Sequence, residues 1–156
     1  MEHTSNNIPS HSKTRNVGGN GNNGGANFDI ASEIKRLQAF YNSLSREKNQ
    51  ILLYLAEVYK TAKGMRTHKR CDVLQQINEE LGRTLDARIA RNLYRILIEL
   101  TCTCNIKLRS RYANALTFAQ RKKCTSSQLI TLIKKNGGIE KCARAYLLEK
   151  RQAEKN

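Results

Sequence analysis

From Phe28 onward the apolar residues recur at intervals of three and four, and no stretch alternates as a half-buried strand does, so the pattern predicts an all-α fold. Asp29 reads as an N-cap, and Ile30, Ile34, Leu37, Tyr41 and Leu44 behind it share one face of a first helix. A second helix follows Ser45, with Ile51, Leu52, Leu55, Val58 and Tyr59 on its apolar side; nothing near Arg46 forbids the two from running on as one. Val73, Leu74, Ile77 and Leu81 make a third, shorter stripe that Gly82 closes. The cleanest stripe is Ile89, Leu93, Ile96, Leu97 and Leu100, which predicts one core helix opening after Thr84 or Asp86. The breaks fall at Gly64, Gly82, Asn105 and Gly137-Gly138.

Beyond the break at 101–105 lies KLRSRYANALTFAQRKKC, residues 107–124, where Tyr112, Leu116 and Ala119 line a core face. Phe118 falls off that stripe, is less clearly assigned, and is free to be exposed. Thr125-Ser126-Ser127-Gln128 has the form of a capping box, a hydroxyl at the N-cap and an amide at N3. Leu129, Leu132 and Ile133 follow as an apolar face, Lys134 and Lys135 sit where the helix dipole favours cations, and Gly137-Gly138 ends the helix. Ile139, Cys142, Ala143, Tyr146 and Leu147 give the last stripe. The sum is a compact bundle of five to seven short helices over residues 28–152, followed by a short tail at 153–156. Residues 1–27, rich in Gly and Asn, hold too little apolar surface to offset the entropy of ordering and are expected to be a disordered tail. In ILLYLAEVYK, residues 51–60, the apolar positions exceed one helix face, leaving Leu53 and Tyr54 seeking cover; a homodimer through residues 30–60 is a further expectation.

A chain of 156 residues, 39% hydrophobic and without Trp, has room for one domain with a modest core. No apolar run reaches the roughly 18 residues that span a bilayer, and the first thirty residues lack the apolar centre of a secretory signal. The expectation is an intracellular protein of a reducing compartment, cytoplasm or nucleoid, with no membrane partner. Its five cysteines, an odd number set in helical segments, read as reduced and mostly buried thiols.

Charge changes the picture most. Residues 101–156 carry thirteen Lys/Arg against three Asp/Glu, while residues 1–100 carry fifteen against ten, so +10 of the net +15 sits in the last third. That gradient is the electrostatic footprint of a nucleic-acid binder. The candidate contacts in the block 105–152 are Lys107, Arg109 and Arg111, then Arg121, Lys122 and Lys123, with Lys134 and Lys135 before the Gly-Gly turn and Lys141, Arg144 and Arg151 on the last helix, where Leu148 interrupts them. Such groups neutralise backbone phosphates and read little sequence. Arg88, Arg91 and Arg95 form another row, whose plain reading is a solvated face. Tyr112 and Tyr146 fall on apolar stripes and suit core packing better than base stacking. The reading is a non-enzymatic nucleic-acid-binding protein, DNA favoured over RNA. Two alternatives are a helical protein-interaction adaptor with an acidic partner, and an RNA-binding or packaging protein.

Residues 129–148, LITLIKKNGGIEKCARAYLL, have a helix, a two-glycine turn and a second helix with a small residue, Ala143, at the contact. The segment resembles the opening of a helix-turn-helix of the Fis type, and the resemblance implies a DNA-reading unit. The sequence departs from that pattern afterwards, because LLEKRQAEKN carries no further turn before a recognition helix. His68 with Cys71, and Cys102 with Cys104, put soft ligands in two short groups. Residues two apart point about 200° away from each other on a helix, so Cys102 and Cys104 can share a metal only in a loop, and buried thiols are the preferred reading. His3 and His11 lie in the tail, Glu79-Glu80 reads as a solvated pair, and the glycines at 18–25 follow no strand. No catalytic residue, cofactor or metal is therefore expected.

Overall fold

The computed structural model describes residues 28–45 and 47–155; the Gly/Asn-rich segment 1–27, with the expectation attached to it, lies outside the described residues. Among the described residues eight α-helices follow one another: α1 (Ile30–Ser43), α2 (Lys48–Met65), α3 (Arg70–Leu81), α4 (Ala87–Ala90), α5 (Leu93–Thr101), α6 (Ile106–Arg121), α7 (Leu129–Lys135) and α8 (Ile139–Ala153). One 3₁₀ turn, Ser126–Gln128, leads into α7, and no strand occurs among the described residues. Two junctions set the count against the expected five to seven: one keeps the first two helices apart, as seven requires, and the other adds an eighth.

First, α1 and α2 are separate helices. Leu44 turns to extended backbone at ψ 138° and Glu47 enters α2 at ψ 144°, while the Ser45 amide donates to Gln50 Oε1 at 2.7 Å. Second, the stripe Ile89–Leu100 is two helices. Asn92 leaves helical geometry at φ −132°, and its Oδ1 accepts from the Tyr94 and Arg95 amides at 2.9 and 3.2 Å. A polar side chain that satisfies two orphan amides starts a new helix in place of continuing the old one.

The long helix α2 is the centre of the N-terminal part, packing against α1, α5, α6, α7 and the 3₁₀ turn. Its buried set runs from Leu52 through Tyr54, Leu55, Val58, Tyr59 and Ala62 to Met65, wider than one stripe because neighbours cover two sides. Tyr54 therefore does not await a second copy: it is 0% exposed, and its hydroxyl shares a 2.6 Å hydrogen bond with Thr101 of α5. Leu53 remains 49% exposed. Rings of Tyr59 and Tyr94 stack 5.5 Å apart, locking α2 to α5. Phe118, which the stripe leaves unassigned, is 4% exposed; α6 buries Ala115, Leu116, Phe118 and Ala119 because several elements surround it. Each large apolar side chain so enclosed contributes roughly 1.5–3 kcal/mol relative to exposure.

The tightest pairing is α6 with α8. Leu108 and Ile139 line one cleft at their starts, and Lys122 meets Glu149 near their ends, so the two helices run parallel, and α7 returns the chain between them. That return depends on two C-caps. After α7 the Gly138 amide bonds Ile133 O at 2.9 Å and the Gly137 amide bonds Lys134 O at 3.0 Å, a Schellman closure with Gly137 at φ 83°. After α6 the same closure recurs, Cys124 to Ala119 O at 3.1 Å and Lys123 to Gln120 O at 2.9 Å, with Lys123 at φ 54°. The capping box forms as expected, the Thr125 amide donating to Gln128 Oε1 at 3.4 Å, although it opens the 3₁₀ turn first.

Candidate nucleic-acid interface

A cleft of ≈ 540 Å³ opens where the α4–α5 junction faces α6 and α8. Asn92 shapes it from one side: besides capping α5, its Nδ2 donates to Thr117 Oγ1 of α6 at 3.0 Å. Arg88, Arg91 and Arg95 reach the cleft from α4 and α5, and Lys150 from α8. Ser110, Ala113 and Asn114 of α6 form its floor, Tyr146 and Leu147 its far wall, and no carboxylate among the described residues lines it. Arg88, Arg91 and Lys150 are exposed, Lys150 with Glu154 Oε1 3.8 Å from its Nζ, whereas Arg95 is held in place. Arg95 Nη1 donates to Ser110 Oγ, and its Nη2 lies 3.3 Å from Glu99 Oε2.

Glu99 also accepts from Arg109 Nη1, so one carboxylate serves two guanidiniums, and the group keeps a net positive charge behind the cleft wall. The Nε atoms of Arg95 and Arg109 and Oε2 of Glu99 are buried without a hydrogen-bond partner among the described residues. In this low-dielectric setting the surplus charge is screened less than it is on the open surface.

Beside the cleft stands the C-terminal end of α6. The Arg121 guanidinium lies 4.8 Å from the centre of the Tyr146 ring, and its Nη1 is 3.6 Å from Glu149 Oε2. Lys122 Nζ donates to Glu149 Oε1 at 2.9 Å and covers the Phe118 ring at 5.1 Å. The Lys122 hydrogen bond, aided by Arg121, holds the Glu149 carboxyl below the usual carboxylate range. Lys123 is exposed and makes no ion pair among the described residues.

The remaining sequence-predicted residues lie elsewhere. Arg111 and Lys134 meet at a different cleft, where α2, α6 and the Gly-Gly turn converge. Lys141 folds over that turn, its Nζ 3.1 Å from where a Cβ on Gly137 would stand. Arg144 pairs with Glu140 at 2.8 Å, and Arg109 is taken up by Glu99. Lys107, Lys135 and Arg151 are exposed and make no ion pair among the described residues. The structure thus brings Arg121, Lys122 and Lys123 together and separates them from Arg111, Lys134 and Lys141.

Arg88, Arg91 and Lys150 line the cleft although the charge count along the chain does not place them among the candidate contacts. The arginine row carries the signal for two of them. For Lys150 it is the spacing Ala143, Tyr146, Leu147, Lys150, which continues the packed face of α8 to a cation at its edge. Of the aromatics in the basic third, Tyr112 and Phe118 are buried, and half-buried Tyr146 at the cleft wall has the Arg121 guanidinium over its ring.

The Gly-Gly hairpin of α7 and α8 forms, but α8 continues unbroken to Ala153 and packs Cys142 and Ala143 inward, leaving no second turn of the helix-turn-helix pattern among the described residues. Cys102–Asn105 is indeed a loop, with the Cys104 amide 3.4 Å from Cys102 Sγ, yet no group of three or more potential metal ligands occurs among the described residues. Burial pushes the Cys104 thiol up to about 12. No helix among the described residues is long and apolar enough to cross a membrane. Comparison with protein-family models, curated proteins and solved structures returned no match.

Proposed function

We propose that the protein is a non-enzymatic nucleic-acid-binding protein that docks on duplex DNA through the Arg88–Arg91–Arg95–Lys150 cleft and the adjoining Arg121–Lys123 end of α6. The observation that carries the reading is convergence: four cations from α4 and its C-cap, α5 and α8 line one cleft that holds no carboxylate among the described residues. Arg88, Arg91 and Lys150 are long, exposed donors suited to backbone phosphates, and the fixed Arg95 gives the cleft a standing positive potential. Packing of the rings in the basic third favours backbone docking over single-strand stacking.

The test is fluorescence anisotropy with labelled duplex DNA, duplex RNA and single-stranded RNA over a salt series. Wild type should bind duplex DNA most tightly, with affinity falling as salt rises. The variant R88E/R91E/K150E should bind at least tenfold more weakly, and the magnitude of its salt slope should fall by about 2.7, roughly 0.9 for each phosphate no longer neutralised. Absence of binding at low salt, or a variant indistinguishable from wild type, overturns the reading. A second reading, a helical adaptor for an acidic protein, is favoured by Leu147 and Leu148, which stay 40% and 58% exposed among the cations of α8.

A further inference from the structure

We infer that the cleft between the starts of α2 and α6 and the Gly137-Gly138 turn is a second, separate binding site, which takes a small amphipathic anion: an apolar body ending in a carboxylate or a phosphate. The cleft measures ≈ 600 Å³, within the range of pockets that hold small organic ligands. Four helices meet there without closing the gap. Leu52 of α2, Tyr112 of α6 and Ile133 of α7 form a floor 7%, 8% and 0% exposed, and half-buried Leu108 and Ile139 form the walls.

The rim is cationic on three sides. Lys48 stands at the start of α2, Arg111 on α6 and Lys134 at the end of α7, all exposed; Lys141 adds a fourth cationic group over Gly137. Glu140 is the one carboxylate in the lining, and Arg144 already engages its Oε1 at 2.8 Å. The rim therefore carries a surplus of positive charge around a greasy floor. Charge complementarity selects an anionic head, the floor selects an apolar body, and a volume of ≈ 600 Å³ suits one small molecule better than an extended polypeptide.

The inference stands independently of nucleic-acid binding. Isothermal titration of the full chain with decanoate, decyl phosphate and decanol, each below its aggregation concentration, tests it. At least one of the anions should bind at least tenfold more tightly than decanol, and the two distinguish carboxylate from phosphate as the preferred head. K48E/K134E, changed only at exposed rim positions, should weaken that anion at least tenfold, whereas R88E/R91E/K150E should leave it unchanged. Equal binding of decanol, no heat with either anion, or equal loss in both variants overturns the inference. Light scattering that finds a dimer, converted to monomer by K48E/K134E, assigns the cleft to a second copy and overturns it as well.

Discussion

Lys123 occupies a backbone position that L-residues avoid. At φ 54° it does for α6 what Gly137, at φ 83°, does for α7, and its Cβ carries a cost of about 1–2 kcal/mol that glycine escapes. Glycine there returns part of that gain as extra freedom of the unfolded chain. Lys123→Gly should therefore raise the unfolding free energy in urea by a net of about 0.5–1 kcal/mol, while weakening duplex DNA binding through the missing cation. In the sequence this residue is one more lysine in RKKC. Its strain becomes visible only once the Cys124 amide is seen to reach back to Ala119 O. Tyr54 and Phe118 escape a sequence reading for a related reason: a helical wheel shows one helix and its stripe, and these rings are covered by neighbours on a second side.

Elements are legible where a cap and a stripe agree. Asp29 opens α1 by accepting the Ser32 amide at 3.0 Å, Gly82 closes α3, and the Thr125 box precedes α7, all at positions the apolar pattern marks. The α4–α5 break is hidden because Ile89 and Leu93 keep the helical interval across Asn92, so periodicity alone cannot see the cap. The α6–α8 pair is held at its far end by Glu149 between Arg121 and Lys122. A carboxyl whose folded pKa is depressed contributes stability above its unfolded value and loses it as pH falls through the folded value. Thermal unfolding followed from neutral pH down to about pH 3 should show wild type losing more stability than Glu149→Gln, with the difference vanishing once Glu149 is protonated.

At the scale of the molecule, the basic third is not one surface. Charge counting predicts where the cations lie along the chain but not how they divide, because the parallel packing of α6 on α8 sends Arg111 and Arg121 to opposite ends of the pair. The cleft between them and the α4–α5 junction is anchored by the Arg95–Glu99–Arg109 group, whose side chains are only 13%, 16% and 23% exposed. Glu99→Ala leaves two enclosed guanidiniums without their carboxylate and should cost about 3 kcal/mol, as urea unfolding would measure. Replacing Glu99 should also loosen Arg95, so the proposed DNA cleft and the fold share a component.

The parallel course of α6 and α8 also bears on the order in which the chain comes together. Positions of α6 are synthesised some thirty residues before the α8 residues they meet, as the separation of Leu108 from Ile139 and of Lys122 from Glu149 shows. A nascent chain that has completed α6 but not α8 presents a half-clothed, strongly basic helix to its surroundings. Maturation of this region is therefore governed by α8: until that helix docks, neither the cleft beside Tyr146 nor the one beside Ile139 has its second wall.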